Sequence, residues 1–297
     1  MKRSILYILI ILALHHTANG QQEQSYTINY SGGGININTT NPAPVKRIKI
    51  GDDAMEFTYD YIWVPDTTDI SVIRKDVMLL QVGYGVSKFF SYRTMQADSL
   101  LHSLTADEII ADPGKLAGGE TFAIYKNYPS GKFTYTDKIS MDNFSYEEDI
   151  PIMEWTLTDG EKEIEGYKCR RGECDFRGRR YVAWYTDEIP VADGPWKFGG
   201  LPGFIMEVGD TEGHYSFVLT GIRNDPGRGI TIPDIKYHKT SRDKFLATRR
   251  KFDSDPIGYT SLASNVNIII TTPDGQQNNR AMEPKVLLFD YLERDYR

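Results

Sequence analysis

Short runs of alternating apolar and polar residues, rich in Tyr, Phe and Val, recur along this chain and are closed off by Gly, Pro, Asp or Asn. A period of two sends successive side chains to opposite faces, so such runs bury one face only by pairing side by side. They read as strands at residues 54–64, 77–84, 86–92, 121–127, 132–139, 150–158, 164–169, 181–186, 204–208, 215–222 and 266–272. Turn residues between most of them predict antiparallel neighbours. The 19 Tyr and 13 Phe suit a pleated, half-buried surface. Two segments break the pattern. In 94–104, Ala97, Leu100, Leu101 and Leu104 recur at helical spacing, and Thr105 with Glu108 forms a capping box ahead of Pro113-Gly114. The segment 241–252 is capped by Ser241 and stopped by Asp255-Pro256. The expected fold is mainly β: a curved antiparallel sheet or partly open β-barrel, with one or two short helices packed on its concave side, in one domain spanning 45–297.

The start of the chain sets the expected compartment. Lys2 and Arg3 precede ten apolar residues, 5–14, and the small residues Ala18 and Gly20 precede Gln21. That is the layout of a signal peptide, 1–20, cleaved near Gly20-Gln21. Ten apolar residues fall short of the ~20 a membrane span needs. Gln21 stands where a lipid-modified Cys would be required, so no lipid anchor is expected. Residues 21–44, with Ser31-Gly32-Gly33-Gly34 and Pro42-Ala43-Pro44, read as a flexible polar leader. The mature chain then has no transmembrane anchor and is periplasmic or extracellular. Losing Lys2 and Arg3 leaves 32 basic against 41 acidic side chains, a net charge of −9. Such a surface repels phosphate backbones and argues against nucleic acid as a partner.

The run GPWKFGGLPGFIMEV, 194–208, resembles the motif after which the GLPGLI family is named, with Phe204 where the name has Leu and Met206 after Ile205. The likeness extends upstream through EIEGYKCRRGECDFRGRRYVAWYTDEIPV and downstream through GHYSFVLTGI, and more weakly over 87–93 and 146–157. The resemblance implies an exported protein of Gram-negative bacteria; it implies no chemistry, because the family's biochemical function is unknown. Physically, Gly194-Pro195, Gly199-Gly200 and Leu201-Pro202-Gly203 read as a turn that feeds a strand. Trp196 and Phe198 cover it, and Phe204, Met206 and Val208 alternate toward one face. A phosphate-cradling loop does not fit, since no Gly-Lys-Ser/Thr follows and the next element is a strand. The structural reading makes the motif a packing corner; the functional one requires Trp196 beside a cavity.

Cys169 and Cys174 admit two geometries. A hairpin or bulge at Arg171-Gly172 lets them bond; a straight strand from Tyr167 to Phe176, turning at Gly178, puts them on opposite faces. A disulfide is the expectation, because free thiols fare poorly after export. Arg170, Arg171, Arg177, Arg179 and Arg180 cluster here. They are either a solvated turn or, with Trp184 and Trp196, a surface for a ligand or partner. His102, His214 and His238 show no ligand spacing, so no metal is assigned. The acidic runs 147–149 and 159–165 read as solvated loops. Neither Gly-x-Ser-x-Gly nor His-Glu-x-x-His occurs, and a carboxylate pair such as Asp187 with Glu207 would act on glycosides only if it lined a cleft. No catalytic residue and no cofactor is assigned. The leading expectation is a non-enzymatic binding or carrier protein for an unknown envelope ligand. An envelope hydrolase of glycans or peptides and an assembly partner of an outer-membrane complex are the alternatives.

Overall fold

The computed structural model describes residues 44–105, 108, 112–224, 226–264 and 289–295. The signal peptide, nearly all of the polar leader and the strand expected at 266–272 lie outside them. The described strands are β1 (Arg47–Gly51), β2 (Asp53–Trp63), β3 (Arg74–Gly83), β4 (Ser87–Ser91), β5 (Ala123–Lys126), β6 (Lys132–Ile139) and β7 (Asp142–Asp149). They continue with β8 (Thr156–Ile164), β9 (Tyr167–Phe176), β10 (Arg179–Thr186), β11 (Phe204–Asp210), β12 (Tyr215–Asn224), β13 (Ile230–Pro233) and β14 (His238–Lys239). Three α-helices join them: α1 (Tyr92–Leu101), α2 (Arg242–Ser254) and α3 (Pro256–Ser264).

Twelve strands form one open sheet in the order β14-β7-β6-β5-β4-β3-β2-β12-β11-β10-β9-β8, while β1 and β13 make a separate ribbon. Every pairing is antiparallel except the short one between β14 and β7. The mainly β, unclosed architecture expected from the alternation is the one observed. Its logic is plainest in β2, where Phe57, Tyr59, Tyr61 and Trp63 are buried. Tyr59 lies opposite Met78 of β3 and Leu219 of β12, so the same face continues across three strands. Tyr61 stacks on Trp63 and on Phe217, each at 4.4 Å between ring centroids. Burying such side chains contributes roughly 1.5–3 kcal/mol apiece before entropy is counted. This inner face is where the chain's core sits.

The helices follow their caps. Ser91 Oγ accepts the Thr94 N–H at the start of α1, and Ser241 Oγ accepts that of Lys244 at the start of α2. The Thr105–Glu108 capping box forms in both directions. Of the apolar stripe expected on α1, Leu101 is buried while Leu100 lies exposed. The stripe meets only Leu116, because α1 sits beside β3 rather than over the core. Pro113-Gly114, read as a stop, opens a 3-10 turn instead. Helix α2 lays Phe245 against Tyr135 and Tyr146 on the inner face.

Four stretches depart from the reading. The strand expected over 150–158 begins only at Thr156 and runs on to Ile164, so the acidic run 159–165, read as a loop, is mostly the polar edge strand β8, which pairs on one side only. The acidic run 147–149 belongs to β7, not to a loop, because Glu148 turns inward and meets Lys197 and Arg177. The strand expected across 164–169 is divided by a two-residue turn, with Glu165 at φ +51° and Gly166 at φ +82°. Both positive angles match the twist of a tight hairpin, but Glu is an unusual residue for the first. The next hairpin turns at Arg177-Gly178, also with φ positive at both residues. Arg171-Gly172 therefore lies inside the continuous strand β9.

That placement overturns the expected disulfide. Cys169 and Cys174 are both free and both buried. Five residues apart on one strand, they point to opposite faces, and no rotamer joins them. Burial pushes the Cys169 thiol up to about 11 and the Cys174 thiol up to about 12. At neutral pH both are thiols rather than nucleophilic thiolates. No described helix is long and apolar enough to cross a membrane.

Candidate functional site

Between β10 and β11 the chain crosses the inner face as an excursion, 187–203, that carries the GLPG-type signature. Asp193 fixes its start by accepting from Ser87 Oγ and from Lys126 Nζ, both at 2.6 Å. Lys126 also donates to the carbonyls of Gly194 at 2.6 Å and Phe198 at 3.0 Å. Lys197, wholly buried, is paired with Glu148 and Glu293 and donates to the Tyr146 hydroxyl at 3.2 Å. Trp155 Nε1 donates to the Gly199 carbonyl at 2.8 Å. Trp196 and Phe198 pack on each other and on Phe176. The signature is therefore more than a turn feeding a strand: it is a plug of aromatic rings pinned by two buried lysines.

A C-terminal strap, 289–295, lies beside this plug. Phe289 bridges to Asp66, and the Tyr181 hydroxyl donates to the Leu292 carbonyl at 2.9 Å. Arg179 is buried and paired with Asp210 at 2.7 Å and Asp290 at 2.5 Å. Arg294 holds Glu212 through two bonds, at 2.7 and 2.6 Å. Arg177 joins Glu148 to Asp295, and Arg242 of α2 joins Glu293 to Asp295. Burial alone would raise the Glu293 carboxyl, but the charges of Lys197 and Arg242 hold it below its ordinary value.

Asp210, Glu212 and His214 converge, with potential ligand atoms within 4.8 Å of one another. Asp210 already accepts from Arg179 and from the N–H groups of His214 and Tyr215, and Glu212 from Arg294. A metal cation there would face two guanidinium groups, so the cluster reads as an anchor for the strap.

Plug, strap and α2 line a half-open cavity of about 200 Å³ on the inner face. Tyr61, Trp63, Phe122, Tyr135, Tyr146 and Trp196 supply its aromatic lining, and Arg249 and Asp253 enter from α2. Asp137 accepts from Thr121 Oγ1 at 2.6 Å, the Lys138 N–H at 2.7 Å and Arg249 at 2.5 Å. Glu120 also lines the cavity, and no described residue pairs with its carboxyl. Burial, reinforced by the charge of Asp137 and opposed by Arg249, pushes that carboxyl up to about 7. An aromatic pocket with one unpaired carboxyl poised near neutrality is equipped to bind a small ligand and to exchange a proton with it.

The residues singled out from sequence are dispersed. Trp196 is 3% exposed, yet it lines the cavity, so it is shielded from bulk water without being cut off from the pocket. Trp184 lies across the sheet from the plug, under Lys162 Nζ at 4.7 Å from its ring. The arginines do not make one surface. Arg170 pairs with Asp187, Arg171 and Arg180 share Glu173, and Arg177 and Arg179 belong to the strap network. Arg171 is neutralised by Glu173 on its own strand, and the others by a carboxylate on a neighbouring strand, turn or strap, which local sequence does not reveal. Asp187 and Glu207 are likewise taken up, by Arg170 and by Lys162 at 2.6 Å, and neither lines the cavity. In the signature Gly200 and Gly203 take positive φ, as does Trp196 at φ +49°, while Gly199 does not. The cavity's own Glu120, Asp137 and Arg249 went unread. Alternation in 132–139 places Tyr135 and Asp137 on one face, and that was the available signal.

A family described as a protein of unknown function (Porph_ging) matches residues 177–207, from the β9–β10 turn through the plug. No curated protein matches the chain. Among solved structures, PNGF-II in two crystal forms is similar at 12% identity and a TM-score of 0.45, over 66% of this chain. The chain spans about a third of the length of PNGF-II (32% and 33% in the two forms). The LolA superfamily protein NE2245 from Nitrosomonas europaea is similar at 8% identity and a TM-score of 0.24, over 61% of this chain and 91% of that one.

Proposed function

We propose that this chain is an exported binding protein of the bacterial envelope, of the GLPGLI kind, which holds a small ligand in the aromatic cavity beneath its signature plug. In this reading a leader is removed near Gly20-Gln21 and residues 45–297 act as one domain. The observation that carries it is the cavity itself. About 200 Å³ is walled by aromatic rings and by ion-paired elements, and it retains an unpaired carboxyl at Glu120. A half-open cleft lined by aromatic rings and a few polar groups is the usual form of a small-molecule site, and this supports a ligand.

Trp63 and Trp196 are two of the four tryptophans and both line the cavity, so intrinsic emission reports its occupancy. Titrating ligand-stripped protein with a small-molecule extract of the envelope should shift that emission saturably. Leu246→Phe, which narrows the cavity from α2, should weaken the response roughly tenfold by overpacking. A response unaltered by Leu246→Phe would place the ligand elsewhere. The raised Glu120 near Asp137, which accepts from Arg249, also favours a second reading, acid-assisted hydrolysis of a glycosidic bond. Release of product from chromogenic glycosides, abolished by Asp137→Asn, would choose it.

A further inference from the structure

We propose that the cavity takes a small organic cation, an amine or quaternary ammonium, with the Glu120 carboxylate as its counter-ion and the rings of Tyr61, Tyr135 and Trp196 as its walls. This rests on the reading of the cavity as a binding site and adds the charge of what it binds.

Most of the acidic groups around the cavity already have a partner. Asp137 has Arg249, Asp290 has Arg179 and Arg294, and Glu293 has Lys197 and Arg242. Asp253 accepts from the Tyr291 hydroxyl at 2.7 Å. Glu120 is left, lining the cavity without a direct ion pair among the described residues. The groups that face it are Asp76 and Arg74 from β3, Asp137 and Tyr135 from β6, Tyr61 from β2, and Arg249 from α2. Arg249 is committed to Asp137, and Arg74, which also lines the cavity from the exposed end of β3, acts on Glu120 without forming an ion pair with it.

Around the pocket the ion-paired carboxyls of Asp290 and Glu293 are lowered, while the acids without a full ion pair shift the other way. Glu120, Asp253 and Asp76 are raised first by burial, and so are the phenols of Tyr61 and Tyr135. Each group would be relieved by added positive charge and penalised further by an anion. Aromatic faces carry the negative end of the ring quadrupole, so rings that exclude water from a cation also attract it. Size agrees: a cavity of ~150 Å³ accommodates benzene, and 200 Å³ accommodates a trimethylammonium group on a short stem.

The test compares choline with its uncharged isostere 3,3-dimethylbutan-1-ol, by calorimetry on the ligand-stripped full chain at pH 6 and pH 8. Choline should bind at least tenfold tighter than the isostere. Its affinity should rise about tenfold from pH 6 to pH 8, as Glu120 goes from mostly protonated to mostly ionised. Glu120→Gln should abolish the rise and most of the binding while its circular dichroism stays that of the parent. Equal affinity for isostere and cation, or undiminished choline binding by Glu120→Gln, would overturn the inference. If neither probe binds but the envelope extract still shifts the tryptophan emission, the cation inference falls and the binding reading stands. If neither the probes nor the extract has an effect, both fall.

Discussion

Replacing Lys197 with Met is expected to lower the unfolding free energy by about 3–5 kcal/mol, the cost of leaving buried carboxylates without their partner. Lys197 is wholly buried between Glu148 and Glu293, and those residues belong to β7 and the strap. One side chain thus ties three distant segments together. For a chain of this size the loss corresponds to a fall in Tm of roughly 10 °C, readable by calorimetry. Adding Glu293→Gln should recover part of it, because the remaining buried charge is then smaller. The same network sets the response to acid. The carboxyls of Asp290, Glu293 and Asp295 are held below their ordinary values by their arginine and lysine neighbours, against the upward push of burial. A depressed folded-state pKa stabilises fully above the unfolded value and is lost as pH falls through the folded one. The parent should therefore lose strap anchorage below about pH 4, and Lys197→Met should show a shallower acid dependence. A Tm within 2 °C of the parent at neutral pH would show that Lys197 is not the pin proposed.

Gly203→Ala should be comparably damaging, by at least about 3 kcal/mol, for a different reason. A Cβ at Gly203 overlaps the backbone carbonyl of Thr186, and its φ of +155° suits glycine alone. The plug leaves β10 and enters β11 at that close approach, so neither backbone has room to yield. Gly199, four residues earlier in the same motif, is the control. A Cβ there meets nothing within 4 Å, and Gly199→Ala should stay within about 0.5 kcal/mol of the parent. Urea midpoints of the two variants measure the contrast directly. Similar midpoints would mean that the glycines of the signature are not held by packing.

How much of this was legible in the sequence depends on whether the information was local. The run 132–139 was read as a strand with the bounds that β6 has, and β2, β3, β10 and β12 lie within two or three residues of their alternating runs. Alternation and caps are local, and they succeeded. β7 failed because its acidic residues look like solvated loop, and only the arrival of Lys197 and Arg177 from elsewhere makes an inward Glu148 tolerable. The Glu165-Gly166 turn failed because Glu seldom takes positive φ. For the cysteines, the odd spacing on a straight strand already held the answer, and the argument from compartment outweighed it. The cavity was illegible for a plainer reason. Its lining is drawn from positions as far apart as Tyr61 and Glu293, each unremarkable in its own segment, and only the sheet order brings them to one face. Trp196 came nearest to being found, since a Trp beside a cavity was what the functional reading of the signature required.

Native mass spectrometry of the protein, isolated without denaturation from the cells that make it, decides whether the cavity holds a ligand. The parent should fly as a species heavier than the bare mature chain by one small molecule. That species should disappear in Leu246→Trp, where a bulky ring from α2 occupies the space. A bare mass for the parent, together with a Leu246→Trp variant more stable than the parent, would show that the hollow is a packing fault and not a binding site.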